Sequence, residues 1–230
     1  MRGAALAFLW LSIAQTALRA DAQEAVQMVG PEEIPRAGYQ SWSLFLICTP
    51  DWVRPEKSAD LANLFGRFEA FGAAIGRDNA AVWFWKERKP LRDERLAENV
   101  DVGRSADYCK TLRLRPSEGP FLVVTTAYPE LDAFPKERAV FTLGALDPAA
   151  LARLLNQLTD QLLIEGKVAE VREASTPAAA EAASEGDEVS SGLWVQLLES
   201  ARRTMIGAGC ALKVQITTGI LSAELRGCST

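Results

Sequence analysis

Histidine is absent from all 230 residues, so the chain lacks the side chain that most often serves as general base and metal ligand. This absence argues against a serine–histidine–aspartate triad and against a zinc site. No two of the four cysteines are spaced as CxxC, which removes the redox dithiol motif and the paired zinc knuckle as well. We expect neither a metal ion nor a cofactor.

A concentrated basic surface is also missing. The formal net charge is -5, and the one dense basic stretch, residues 86–95, is balanced by acidic residues at 87, 93 and 94. Binding to nucleic acid depends on clustered lysine and arginine, which release counterions from the phosphate backbone. We therefore expect no nucleic-acid partner.

Long hydrophobic runs are likewise absent, and the longest apolar stretch lies at the amino terminus. Arg2 precedes apolar residues 4–14, and the small residues Ala20 and Ala22 follow. This layout predicts a signal peptide at residues 1–22, cleaved after Ala22. A membrane anchor is the alternative, but Gln15 and Arg19 interrupt the run before it reaches the roughly 20 residues that span a bilayer. The protein is thus expected to be periplasmic or secreted, without stable membrane insertion after cleavage.

Four short apolar runs and three amphipathic stretches fill residues 23–170. The runs 43–48, 81–85, 121–126 and 139–143 predict strands. Helices are predicted after Ser58 as a cap, over 105–114, and after the cap Asp147 with Pro148 in the first turn. The order βαβαββα indicates an α/β domain of three layers.

The composition changes at residues 171–191, where Ala, Ser and Glu replace the periodic apolar pattern and predict a flexible linker. Residues 192–230 then predict a helix followed by a β-hairpin. A two-residue turn at Thr218-Gly219 sets Ile216 opposite Leu221 and Val214 opposite Ala223. This unit either docks on the main domain or joins another protein or a second subunit, and the last of these would make the protein an oligomer.

Three segments, in this order, resemble the thioredoxin-like family, and the element order βαβαββα resembles it too. They are Asp51–Lys57 (DWVRPEK), Gly119–Val124 (GPFLVV) and Leu143–Leu146 (LGAL). The first is similar to the family's active-site segment, but Val53 and Glu56 stand where that segment has its two cysteines. The second resembles the segment that carries a cis-proline before the third strand. The resemblance implies a thioredoxin-like fold without the family's redox chemistry, so we do not expect an enzyme.

The resemblance also implies a binding groove for a protein or peptide partner. Its candidate residues are the counterparts of family contact positions: Trp52, Val53, Arg54, Gly119, Pro120, Gly144 and Ala145. The alternative is that this segment is retained only for the geometry of the helix start. The first hypothesis for the whole chain is therefore an exported, redox-inactive binding or scaffolding module.

The cysteines Cys48, Cys109, Cys210 and Cys228 are the disulfide candidates, because their number is even and the expected compartment is oxidising. A 210–228 bridge is favoured across the hairpin. Cys48 and Cys109 form a structural disulfide, remain buried thiols, or act as a relocated redox pair. The last possibility gives the alternative function, a thiol–disulfide oxidoreductase or redox accessory. A third possibility is a structural subunit of an envelope assembly.

Overall fold

A computed structural model of the chain describes residues 27–29, 34–36, 38–86, 96–174, 213–217 and 222–226. Its strands are β1 (Gln27–Val29), β2 (Ser41–Leu46), β3 (Asn79–Phe84), β4 (Phe121–Thr125), β5 (Arg138–Thr142), β6 (Lys213–Thr217) and β7 (Ser222–Arg226). Its helices are α1 (Ser58–Ala74), α2 (Leu96–Asn99), α3 (Val102–Thr111) and α4 (Pro148–Ala174). The predicted α/β class is confirmed.

The strands form one mixed sheet in the order β1-β3-β2-β4-β5-β6-β7. β1 and β2 both pair with β3 in parallel, whereas every pair from β2–β4 onward is antiparallel. The three-residue strand β1 was not predicted, because a segment this short carries no periodic signal of its own.

The central strands are apolar on both faces because helices cover both sides of the sheet. Phe45, Trp83 and Phe141 point into a core with α1 and α4, and their neighbours in sequence point into a second core with α3. Since every residue of β2 and β4 is buried, these strands appear in the sequence as mainly apolar runs, with Ser41, Ser43 and Thr125 as the exceptions. The layers are thus helix, sheet and helix.

Two helix starts differ from the predicted ones. Ser58 is the first residue of α1 and not its cap, because two 3-10 turns beginning at Pro50 and Pro55 lead directly into the helix. The α3 helix begins at Val102, three residues before the predicted start. The Asp101 side chain caps it by accepting a hydrogen bond from the Arg104 N–H at 2.9 Å.

The carboxy-terminal hairpin extends the main sheet, since β6 pairs with β5 from Arg138↔Thr217 to Thr142↔Lys213. The predicted register is wrong by two residues: Val214 faces Leu225 and Ile216 faces Ala223, and four residues separate the strands. A shift of two leaves every side chain on its predicted face, so the alternating pattern could not distinguish the two registers. Val214 and Ile216 join the core beside α1 and α4.

Several predictions concern residues outside the described ranges. These are the signal peptide at 1–22, most of the linker at 171–191, the helix after residue 192, and both Cys210 and Cys228. The backbone of α4 is helical up to Ala174, so the first four residues of the predicted linker belong to a helix. In the described part of the chain, no helix combines the length and the apolar character needed to cross a bilayer.

Candidate functional site

Three loops meet at one end of the sheet. The Trp52 indole N–H donates to the Gly119 carbonyl oxygen at 3.0 Å, and the Leu143 N–H donates to the Pro120 oxygen at 2.8 Å. The peptide bond between Gly119 and Pro120 is cis. A side chain on Gly144 would overlap the Gly119 carbonyl oxygen, so this loop packs backbone against backbone. The three segments of the resemblance are therefore neighbours in space.

The seven candidate groove residues differ widely in accessibility. Gly119 and Pro120 are buried, and the Trp52 indole covers the Gly119 oxygen, so these two do not form an open wall. Val53 is half-buried and packs against the core. Exposed positions are Gly144, Ala145 and Arg54, which pairs with Asp51. The structure thus gathers Trp52, Gly119, Pro120 and Gly144, and leaves Arg54 on the surface outside this cluster.

A cleft of about 190 Å³ opens beside these loops, between α1 and the start of α4; we call it the α1–α4 cleft. Its apolar lining consists of Trp52, Leu64, Leu143, Leu146, Pro148 and Leu151. Only two of the predicted site residues, Trp52 and Gly144, line it. The family resemblance pointed toward the loop that contains Gly119 and Pro120, whereas this cleft lies on the α1 side of Gly144.

The polar rim of the α1–α4 cleft comes from α1 and the turn before it. Lys57 forms an ion pair with Asp60 at 2.9 Å, and its amine lies 5.4 Å from the centre of the Trp52 ring. The Arg67 Nε donates to the Asn63 Oδ1 at 2.8 Å. Sequence reasoning missed the residues at 60, 63, 64 and 67, although their spacing of three and four marks one helix face.

The Cys48–Cys109 pair is joined by a disulfide, with the two Cα atoms 6.3 Å apart. It connects the loop after β2 to α3 and so fastens the α3 layer to the centre of the sheet. Cys48 is 6% exposed and Cys109 is 1% exposed. A reactive cysteine needs an accessible thiolate in an electropositive setting, and burial in an apolar core provides neither.

The α4 helix begins beside the cleft at a capping residue that the sequence predicted correctly. The Asp147 Oδ1 accepts hydrogen bonds from the N–H groups of Ala150 at 2.9 Å and Ala149 at 2.8 Å. The hydrogen bond from Ala150, then that from Ala149 and the charge of Arg153, lower the pKa of Asp147. This carboxylate is therefore stabilised in its charged form by the helix terminus.

Asp147→Asn should reduce the loss of folding stability that occurs as the pH falls. Asparagine caps a helix about as well as aspartate, but it does not titrate. Because folding lowers the pKa of Asp147, its charge contributes stability above the unfolded pKa and loses that contribution as pH falls through the folded one. Urea midpoints at pH 6, 4 and 2.5 should therefore fall more steeply in the wild type than in the variant.

Asp160→Asn is the matched control, since it removes an exposed carboxylate from the same helix without removing a cap. If the wild type and Asp147→Asn have parallel acid profiles, the charge of Asp147 does not contribute to stability.

Comparisons with known proteins give no relative of this chain. No protein-family model, curated protein or solved structure matches the chain. Among the described residues, no group of three or more Cys, Asp or Glu side chains is arranged to hold a metal ion.

Proposed function

We propose that the chain is an exported, redox-inactive thioredoxin-like module that binds a protein or peptide partner. Support for the fold comes from the order of the long elements between β2 and α4, which is βαβαββα. Pro120 directly precedes β4, at the position where the resemblance leads us to expect a proline. Support for export comes only from the sequence of residues 1–22.

The observation that carries the binding proposal is the setting of Trp52. Its indole N–H is fixed by the Gly119 oxygen, while the side chain is only partly buried and lines the α1–α4 cleft. An apolar surface with a polar rim is typical of a protein interaction site, and tryptophan is enriched among the residues that dominate binding energy. Neither Val53 nor Glu56 offers sulfur, so the segment retains a contact surface without the exchange chemistry.

The oxidoreductase alternative requires a thiolate that a substrate disulfide can reach. Cys48 and Cys109 are buried and bonded to each other, and the sheet lies on one side of the pair. Thiol–disulfide exchange assayed with insulin should accordingly proceed at the uncatalysed rate. Catalysis that disappears in the double variant Cys48→Ala/Cys109→Ala would reverse the order of the two proposals.

Site-specific photo-cross-linking in the native cell tests whether a partner occupies the cleft. A photoreactive amino acid replaces Asn63, which lines the cleft, or Glu69, which is exposed on the same helix outside it. We expect a discrete adduct with position 63 and at least tenfold less with position 69. Equal adducts at both positions, or none at position 63, would contradict a binding role for this face.

A further inference from the structure

The size of the α1–α4 cleft limits what can enter it. Pockets for drug-sized ligands have volumes of roughly 300–1,000 Å³, whereas this cleft has about 190 Å³. An apolar cavity of about 150 Å³ accommodates one benzene ring. The cleft therefore has room for one large apolar side chain, which would contact Leu64, Leu146 and the Trp52 ring.

The rim of the cleft carries one cation that the described residues leave without an acidic partner. Lys57 is neutralised by Asp60, but no ion pair in the described part of the chain includes Arg67. The hydrogen bond from the Arg67 Nε to Asn63 orients the guanidinium and leaves both Nη groups available to donate. The charged residues lining the cleft, Lys57, Asp60 and Arg67, thus leave it with a net charge of +1.

An oriented guanidinium next to an apolar pocket is complementary to a carboxylate next to an apolar side chain. We infer that the α1–α4 cleft binds a partner segment in which one large apolar residue lies next to Asp or Glu. The apolar side chain enters the cleft, and the acidic side chain pairs with Arg67. This inference rests on the proposed function, because it names the chemistry of the partner that the cleft would bind.

Two short peptides test separately whether the cleft binds an apolar side chain and whether it prefers an acidic neighbour. The purified, isotope-labelled protein is titrated with acetyl-Leu-Glu-amide or acetyl-Leu-Gln-amide, and amide and indole shifts are followed by NMR. We expect saturable shifts at the Trp52 indole N–H and the Gly144 amide with both peptides. The Glu peptide should bind about fivefold more tightly at low salt, the upper range for a partly exposed ion pair. Raising the salt concentration should reduce this preference.

Arg67→Gln should lower the affinity for the Glu peptide to that for the Gln peptide, and it should leave the affinity for the Gln peptide unchanged. Arg77→Gln is the control, since it removes an exposed arginine that does not line the cleft. Equal affinities in the wild type, shifts centred on other residues, or no saturable shift with either peptide would overturn the inference. The last result is also expected if residues 175–212 or a second copy of the chain already fill the cleft.

The cross-linking experiment distinguishes failure of this inference from failure of the proposed function. Suppose that the adduct at position 63 forms in the otherwise wild-type chain and persists when Arg67→Gln is added, while the Glu peptide binds no more tightly than the Gln peptide. The proposed binding function is then supported, and the inferred preference for an acidic residue is wrong. If position 63 gives no adduct in any background, both proposals fail.

Discussion

The free energy of unfolding of the double variant Cys48→Ala/Cys109→Ala should be about 4 kcal/mol lower than that of the wild type. The disulfide closes a loop across a sequence separation of 61 residues, and loop-closure entropy for that length gives about 4 kcal/mol. Single domains are stable by only about 5–15 kcal/mol, so the loss is a large share of the total. Urea denaturation followed by tryptophan fluorescence measures it.

Substitution is a sharper test here than a reducing agent, which would also act on any bridge formed by Cys210 and Cys228. Peptide mapping after alkylation, with and without reduction, supplies the control. Neither Cys48 nor Cys109 should be labelled in the wild type without reduction, because the two sulfurs are joined by a disulfide, and both should be labelled after reduction and unfolding. A double variant within about 1 kcal/mol of the wild type would mean that the bridge contributes little.

Gly144→Ala should destabilise the protein by about 3 kcal/mol, the upper end of what overpacking usually costs. The new Cβ would overlap the Gly119 carbonyl oxygen and lie 2.9 Å from the Glu118 oxygen. Both are backbone atoms, so neither can rotate away as a flexible side chain could. Because Gly119 also accepts the Trp52 hydrogen bond, we expect the Trp52 indole N–H resonance to shift.

Gly66→Ala is the matched control, and it should raise the free energy of unfolding where Gly144→Ala lowers it. Gly66 lies within α1, and nothing stands within 4 Å of an added Cβ. Alanine is favoured over glycine in a helix by about 1 kcal/mol, so this variant should be more stable than the wild type. A Gly144→Ala protein with wild-type stability would mean that the three loops are not packed as closely as described.

The parts of the fold that the sequence predicts well are those with a strong local signal. The runs at 43–48 and 121–126 are apolar because both faces of their strands are buried, and Asp147 with Pro148 marks a helix start through capping chemistry. The weak predictions are those that depend on partners distant in the chain. Alternation alone gives Val214 and Ile216 the correct face, but it could not tell which residues of the next strand they oppose.

The candidate site was predictable only in part, for a related reason. The resemblance identified Trp52 and Gly144, which do line the cleft, and Gly119 and Pro120, which the structure buries. It gave no indication of Arg67, because the accessible space depends on how α1 packs against α4. That packing brings together side chains more than eighty positions apart, such as those of Leu64 and Leu151.

The pairing of β5 with β6 has a consequence for how the chain reaches its native state. Thr142 and Lys213 are ladder partners, so the sheet is completed across a separation of about seventy residues. Contacts this distant in sequence form slowly because of the chain entropy that their closure removes. Until β6 pairs with it, β5 is an edge strand whose residues Val140 and Phe141 are apolar and become buried only in the native fold. An exposed apolar edge strand of this kind promotes aggregation. The strand that protects this edge is thus synthesised about seventy residues after the edge itself.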